Sequence, residues 1–375
     1  MVGWLSVAVH GVAIMGVFVL VAQILAWNSW PRREPRAAEL PPISVLKPLF
    51  REGPRLYECL RSFCSQDYPV YEVVFGVQDP EDPAIRIVRR LQAEFPDRAL
   101  TLVIDPTRHG GNAKVGNLAN LMSHVRYDIL VLADADILVG ADYLQCLAGP
   151  VQDPKVGIVT CLYRGAPFGR VWDRIGALFI QDWFAPQVLL AKTLGSSDFA
   201  FGATIALRRQ TLTAVGGFEA LAAQLADDYQ LGARARALGL CTVLSSYLVE
   251  TVVDEPRFAD LAAHQLRWLR TIRLINPWGY FFSGVTFGLP IAVGAALIAD
   301  QGFMWGLAFL AMILRLVLHS EASRRLGVRR RFGLVPLADA LLCGLWVVGL
   351  LGRKVSWGGA VLAVGNDGSI KANRE

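Results

Sequence analysis

The sequence predicts an α/β domain with a mainly parallel sheet, held between apolar helices near its two ends. Three observations predict it. Hydrophobic residues make up 54% of the 375 and charged residues only 18%, which is too apolar for an average soluble protein. Long runs without charge fall at residues 4–27 and again beyond residue 280. Between them, over 43–255, strand patterns alternate with helix patterns, the order that builds a parallel sheet with helices packed on it.

Taken in order, "WLSVAVHGVAIMGVFVLVAQILAW" (4–27) has no ionised side chain, His10 being neutral. At about 1.5 Å per residue it is long enough to span a hydrocarbon core. No Lys or Arg precedes it and it exceeds a signal h-region, so a retained helix is expected over a cleaved signal peptide. Arg32, Arg33 and Arg36 follow it, which places that side in the cytoplasm. "ISVLKPL" reads as a buried strand, "LYECLRSFCSQ" as a helix and "YEVVFGVQD" as a strand. "PAIRIVRRLQAEF" is a helix with a basic face, "LTLVID" a third strand and "YDILVLADADI" a fourth. Ligands of parallel sheets bind beyond the carboxyl ends of strands, where "VQDPEDP" and "ADADI" both fall.

Further membrane segments are expected at 281–299, 303–319 and 334–351, with "DQG" closing a tight hairpin between the first two. The loop "RRLGVRRR" (324–331) should face the cytoplasm. The last segment carries Pro336 and Asp339 and precedes Arg353 and Lys354, so both a full crossing and a re-entrant segment remain open. The chain is therefore expected to divide into an N-terminal transmembrane helix (1–30), a cytoplasmic α/β domain (40–255), an interfacial segment (256–280), C-terminal transmembrane helices (281–355) and a cytoplasmic tail (356–375). A net charge of +5 fits a membrane surface or an anionic small molecule and is too weak to argue for nucleic acid, so no nucleic acid partner is expected. The six cysteines form no CxxC pair and read as buried free thiols of a reducing compartment.

Four stretches could carry chemistry. In "ADADI", Asp134 and Asp136 stand at i, i+2 where a strand runs out, so both can reach one divalent cation, and Mg2+ or Mn2+ there would neutralise a diphosphate. The bland alternative is a turn or a helix cap. A second acidic cluster, Asp79, Glu81 and Asp82, ends another strand. "HGGNAKVGNL" (109–118) offers Gly for close backbone approach to a ligand and Lys114 as a point charge for phosphate, or it is a polar loop. "LADDYQLG" offers Asp227 and Asp228 as helix caps, or one of them as a general base. "HQLRWLRTIR" (264–273) places His264, Arg267 and Thr271 near one helical face, with Arg270 and Arg273 at its edges. Arg suits pyrophosphate oxygens and Trp268 suits a membrane interface, although a plain amphipathic helix on lipid has the same composition. Trp172, Ile175, Phe179 and Trp183 form an apolar stripe within 169–195, which fits an interfacial helix and a core helix equally.

These stretches, in this order, resemble the ceramide glucosyltransferase family of membrane-bound, inverting glycosyltransferases, and the resemblance runs over nearly the whole chain. It implies a GT-A nucleotide-sugar-binding domain. "VQDPEDPAI" looks like the family's first aspartate motif, with Asp82 as the matching carboxylate. "ADADI" matches the second, with Asp134 and Asp136 toward the metal, and "ADDY" the third, with Asp228 in the place of the catalytic base. "HQLRW" matches the (Q/R)xxRW signature, with His264 in place of Gln or Arg. The resemblance implies that Asp82, Lys114, Asp134 and Arg267 bind the donor and that Trp268 and His264 serve the acceptor side. "VTCLYRG", "FGATIALRR" and "RWLRTIRLINP" look most like the bacterial, hopanoid-associated branch. That branch implies transfer of N-acetylglucosamine from a UDP-sugar to a hopanoid, a membrane lipid acceptor, at the bacterial inner membrane. A UDP-glucose:ceramide glucosyltransferase is the alternative. A processive polysaccharide synthase or a non-catalytic nucleotide-sugar-binding membrane protein are more distant ones, the former because synthases carry more transmembrane helices.

Overall fold

The computed structural model describes residues 2–31, 37, 39–196, 199–299, 301–352, 354–357, 360–365 and 369–371. Two compact units account for them. A sheet unit comprises Pro31–Ala166, Ser197–Asp254 and Ser369–Glu375, and a helical unit comprises Met1–Trp30, Pro167–Ser196 and Glu255–Gly368. Residues 167–196, which sequence placed within the domain at 40–255, group with the apolar terminal helices. The reason is packing: Ile175, Leu178 and Phe179 share one core with Leu261, Leu269, Tyr280 and Leu342.

The sheet unit has eight strands. They are β1 (Ile43–Pro48), β2 (Tyr71–Val77), β3 (Ala99–Ile104), β4 (Ile129–Leu132), β5 (Ile137–Leu138), β6 (Val156–Pro167), β7 (Ile205–Arg208) and β8 (Cys241–Val253). Their order is β3-β2-β1-β4-β7-β6-β8-β5. β1 runs parallel to β2 and β4, and β2 parallel to β3. β4 with β7, β6 with β7 and β5 with β8 are antiparallel. The parallel half is the one read from sequence, and the antiparallel half makes the sheet mixed. β2 and β4 are buried along their whole length, as expected of strands covered on both faces, which read as continuous apolar runs. The helix Ala84–Glu94 buries Ala84, Ile85, Val88 and Leu91 and turns Arg86, Arg89 and Arg90 outward or aside, the 3.6-residue periodicity of a helix laid on a sheet. Because β1 and β4 are neighbours and parallel, their carboxyl ends lie side by side. That is the feature that positions the site.

In the helical unit, three helices among the described residues are long and apolar enough to cross a membrane: Val9–Ser29, Gly302–Leu326 and Phe332–Gly349. A fourth candidate, Pro277–Thr286 with Gly288–Ala299, is bent by 68°, at the stretch read from sequence as a single segment at 281–299. The segment 171–193 is two helices, Val171–Phe179 and Ala185–Thr193, joined by a π turn at Ile180–Phe184. Ile175 and Phe179 of its apolar stripe are buried within the unit, and Trp172 and Trp183 pack against the same core. Arg32, Arg33, Arg36 and Arg353 lie outside the described residues. All six cysteines are free, but only Cys59, Cys64 and Cys161 are buried. Cys241, the first residue of β8, is exposed.

Candidate active site

The site grows from the carboxyl ends of β1 and β4. β4 ends at Leu132, Ala133 is still buried, and the chain turns at Asp134 toward β5. β5 is held by β8 through Ile137 and Thr251, and the Thr251 hydroxyl donates to Asp136 Oδ2 at 2.8 Å. From β1 comes Lys47, fully buried. Its ammonium lies 3.9 Å from the Phe63 ring centroid and donates to the backbone carbonyl of Asp134. Burial pushes the Lys47 pKa down to about 8, a cost on the order of 3 kcal/mol. A lysine kept at that cost pins the turn from which Asp134 projects. Nothing in "ISVLKPL" marks Lys47 as more than a strand residue.

Lys114 comes from the helix Ala113–Leu121, whose N-cap is Asn112: its Oδ1 accepts the Val115 N–H at 3.1 Å. Val115, Leu118 and Leu121 anchor that helix in the core beside Leu46, Val74 and Leu132. Lys114 Nζ then sits 2.6 Å from Asp134 Oδ1 and 3.6 Å from Asp227 Oδ2. Burial works against this ammonium, but Asp134, Asp227 and Asp228 outweigh it and hold its pKa above the ordinary lysine range.

Asp228 is the second residue of the helix Asp227–Ala237. Its Oδ1 accepts the Tyr229 N–H at 2.7 Å and its Oδ2 the Gly202 N–H at 3.0 Å. Protein surrounds this carboxyl on most sides although it keeps some exposure. The lost water and the neighbouring Asp227 push its pKa up to about 6, against the pull of Lys114. Gly202 is the pivot. A Cβ there would lie 3.0 Å from Asp134 Oδ2, 3.0 Å from Lys114 Nζ and 3.6 Å from Asp228 Oδ2. Three charged groups therefore converge on a point that only glycine leaves open. Gly202, like Lys47, went unmarked as a functional residue in the sequence reading; a glycine in a loop between apolar stretches carries no signal by itself.

Asp82 serves its loop. It is 5% exposed, its Oδ2 accepts the Arg51 N–H at 2.7 Å and its Oδ1 the Ala84 N–H at 2.8 Å. The first bond holds Arg51 at φ 61°, a left-handed conformation uncommon for a residue with a side chain. His264, Arg267 and Trp268 lie on the helix Phe258–Ile275 of the helical unit. His264 Nδ1 donates to Glu255 Oε1 at 2.7 Å, and its ring meets Trp268 edge-on at 4.9 Å. Glu255 in turn donates its backbone N–H to Asp173 Oδ1 at 2.6 Å. The histidine at the first signature position is thus seated by a buried carboxylate that sequence reading did not single out. Within the sheet unit the structure gathers Asp134, Asp136, Lys114 and Asp228. Among the described residues no three His, Cys, Asp or Glu side chains are grouped to hold a metal by themselves.

The sheet order and the acidic strand end define a GT-A domain accompanied by membrane-type helices. The same fold is seen in the mannosyltransferase PcManGT from Pyrobaculum calidifontis in complex with GDP-Man and Mn2+, at a TM-score of 0.57, 20% identity, and coverage of 94% of this chain and 93% of that one. The chain belongs to glycosyl transferase family 21, whose family profile matches residues 6–370. Among its relatives, ceramide glucosyltransferase 1 of Caenorhabditis elegans is 26% identical over 253 residues, 65% of this chain and 53% of that protein. Ceramide glucosyltransferase 3 of the same animal is 24% identical over 214 residues, 56% and 46% respectively. The chain spans about half the length of these relatives.

Proposed function

We propose that this chain transfers a sugar, N-acetylglucosamine, from its UDP donor to a hydroxyl of a membrane lipid of the hopanoid class, such as bacteriohopanetetrol, with inversion. The observation that carries the reading is the convergence of Asp134, Lys114 and Asp228 on the open point at Gly202. A cation and a diphosphate need an acidic strand end with a lysine beside it, and an acceptor hydroxyl needs a carboxylate whose pKa is raised toward neutrality. Family membership supports sugar transfer, and the stretches "VTCLYRG" and "RWLRTIRLINP" support the hopanoid branch.

The residues present fit a divalent cation. Asp134 and Asp136 stand at one strand end, and the space at Gly202 is one a Cβ would fill. Asp134 and Asp136 would hold Mg2+ or Mn2+. The bound ion would supply positive charge against the leaving UDP. Lys114 exchanges its contact with Asp134 for the diphosphate. Asp228 takes the proton from the lipid hydroxyl as that oxygen attacks the anomeric carbon, the bond to UDP breaks, and a single displacement inverts the centre without a protein nucleophile. Asp82 shapes the donor side by fixing its loop. Arg267 is assigned to the leaving diphosphate, and Trp268 with His264 to the acceptor, on the strength of the HQLRW signature. Residues 40–255 then carry the catalytic groups in the cytoplasm of a multi-pass protein of the bacterial inner membrane.

A second reading, UDP-glucose:ceramide glucosyltransferase, is favoured by the names of the Caenorhabditis relatives. The full chain in detergent should be given UDP-N-acetylglucosamine or UDP-glucose with bacteriohopanetetrol or ceramide, and the lipids weighed by mass spectrometry. An N-acetylhexosaminyl hopanoid is the expected product. A hexosyl ceramide would select the second reading, and no glycolipid from any pairing would overturn both.

A further inference from the structure

The two glycines of "HGGNAK" were read as room for a ligand, but protein fills that room. A Cβ on Gly110 would lie 2.5 Å from the carbonyl oxygen of Ala222, and a Cβ on Gly111 would lie 2.9 Å from Cγ2 and 3.0 Å from Cβ of Ile370. Both neighbours belong to the sheet unit, although Ile370 arrives from the far end of the chain. Ala222–Gln224 leads directly into Asp227 and Asp228, and it is gripped from two sides. The backbone N–H of Asn112 donates to Ala222 O at 2.8 Å. The Asn112 side-chain amide donates to Gln224 O at 2.8 Å and reaches Asp227 Oδ1 at 3.3 Å. The carbonyl between them, Ala223 O, accepts the Ile370 N–H at 2.7 Å, and Ser369 pairs with Gln224 as an antiparallel bridge. Successive carbonyls are thus shared between the loop that carries Lys114 and the segment 369–370.

We propose that Ser369–Ile370 is a strap that positions the donor site. It clamps the Ala222–Gln224 turn against the Gly110–Asn112 loop and so fixes the spacing between Lys114 and the Asp227–Asp228 pair. Ile370 is a positioning residue: it touches the loop that carries Lys114 and acts through it. A side chain at Gly111 would clash with Ile370, whose Cγ2 lies 2.9 Å from where its Cβ would stand. This inference rests on the assignment of Lys114 to the donor diphosphate and of Asp228 to the acceptor proton.

The test is a mutant cycle in the full chain with Ile370→Gly, Gly111→Ala and the pair together. Two quantities are read: the Kd of UDP with Mn2+ by calorimetry, and amide hydrogen exchange over 109–114 and 222–228. Ile370→Gly should speed exchange in both segments and raise the Kd about tenfold, as when the competent arrangement falls to about a tenth of the molecules. Gly111→Ala should do the same by pushing Ile370 away. The double variant should be no worse than Ile370→Gly alone, because the new methyl enters the vacated space, and that non-additivity marks the contact. Ile370→Val should behave as wild type. Unchanged exchange and Kd in Ile370→Gly would overturn the strap, as would simple additivity, or tighter UDP binding without the side chain. The exchange readout needs no turnover. A chain that forms no glycolipid yet shows this coupling keeps the strap and loses the transfer reading; one that transfers normally with an indifferent Ile370 does the reverse.

Discussion

In the sheet unit Lys114 meets Asp134 and Asp227 around a glycine; in the helical unit Arg315 meets Asp339 and Asp182 beside His319. Both are clusters of one base with two acids, and they are finished differently. The side chains of Lys114 and Asp134 keep 22% and 37% of their exposure. Arg315 and Asp182 keep 6% and 2%, and His319 none. Arg315 grips Asp339 with two bonds of 2.7 Å. His319 Nε2 accepts the Arg331 backbone N–H at 2.8 Å, so the proton sits on Nδ1, which donates to Asp182 Oδ2 at 2.8 Å. This neutral tautomer is fixed from both sides. Asp182 itself stands in the π turn, an irregularity that re-aims a side chain within a helix. One cluster leaves its charges open to exchange partners with a ligand. The other is closed to water, with Asp182 Oδ1 and Arg315 Nη1 buried without a hydrogen-bond partner among the described residues, and joins the bulged helix to Gly302–Leu326 and Val335–Gly349. Buried ion pairs add little net stability when intact but punish the loss of one partner, so the closed cluster serves architecture, and the proposed transfer is assigned to the open one.

The comparison can be broken most sharply at Asp228. Asp228→Asn keeps the size and removes the base, and should lower transfer by about 10²–10⁴-fold while the Kd for the UDP-sugar stays within about twofold of wild type. Turnover above half of wild type, in a direct lipid-product assay, would remove Asp228 from the role. The next effect is structural. Arg315→Ala leaves Asp339 and Asp182 buried without their base and should cost about 3–5 kcal/mol, whereas Arg315→Met with Asp339→Leu should recover the part due to Asp339 and leave the part due to Asp182, as thermal unfolding in detergent would show.

Metal removal probes the open cluster again. Transfer should fail in EDTA, and Asp134→Ala should weaken both donor binding and turnover, together by about a hundredfold or more; full activity of demonstrably metal-free protein would contradict this. The smallest effect is in pH. Asp228 acts as carboxylate and its pKa is raised to about 6, so lowering the pH through that value protonates the base. kcat/KM should fall about tenfold between pH 6.5 and 5.

The parallel half of the sheet was legible because β1, β2, β3 and β4 are apolar runs between clear helices, and Asp134 was legible because it ends one of them. β6, β7 and β8 were not: helices precede each of them, as in the parallel half, and β7 runs antiparallel to β4 and β6, a direction that no local pattern in "VGIVTCLYRGAP" or "CTVLSSYLVETVV" reveals. Lys47 was hidden because its burial is imposed by the neighbouring β4 turn, which no local pattern reveals. Gly110 and Gly111 were noticed but given the wrong neighbour, because Ile370 lies some 260 residues on. Asp182, Arg315 and His319 sit inside runs whose apolar average hides single charges; only Asp339 stood out, as a charge in a membrane segment. Tertiary partners far apart in sequence decide all of these.

The central claim is that the open cluster performs transfer and the closed one holds the fold. The measurement that tests it most directly sets Asp228→Asn beside Asp182→Asn, with glycolipid formed per folded molecule and Tm recorded for each in the same detergent. Asp228→Asn should lose at least about a hundredfold in transfer with Tm little changed, because the relieved repulsion from Asp227 offsets the one backbone N–H, of Tyr229 or Gly202, that an amide nitrogen cannot accept. Asp182→Asn should lower Tm, with transfer by the remaining folded molecules near that of wild type. Normal transfer by Asp228→Asn, or abolished transfer by a fully stable Asp182→Asn, would contradict the account.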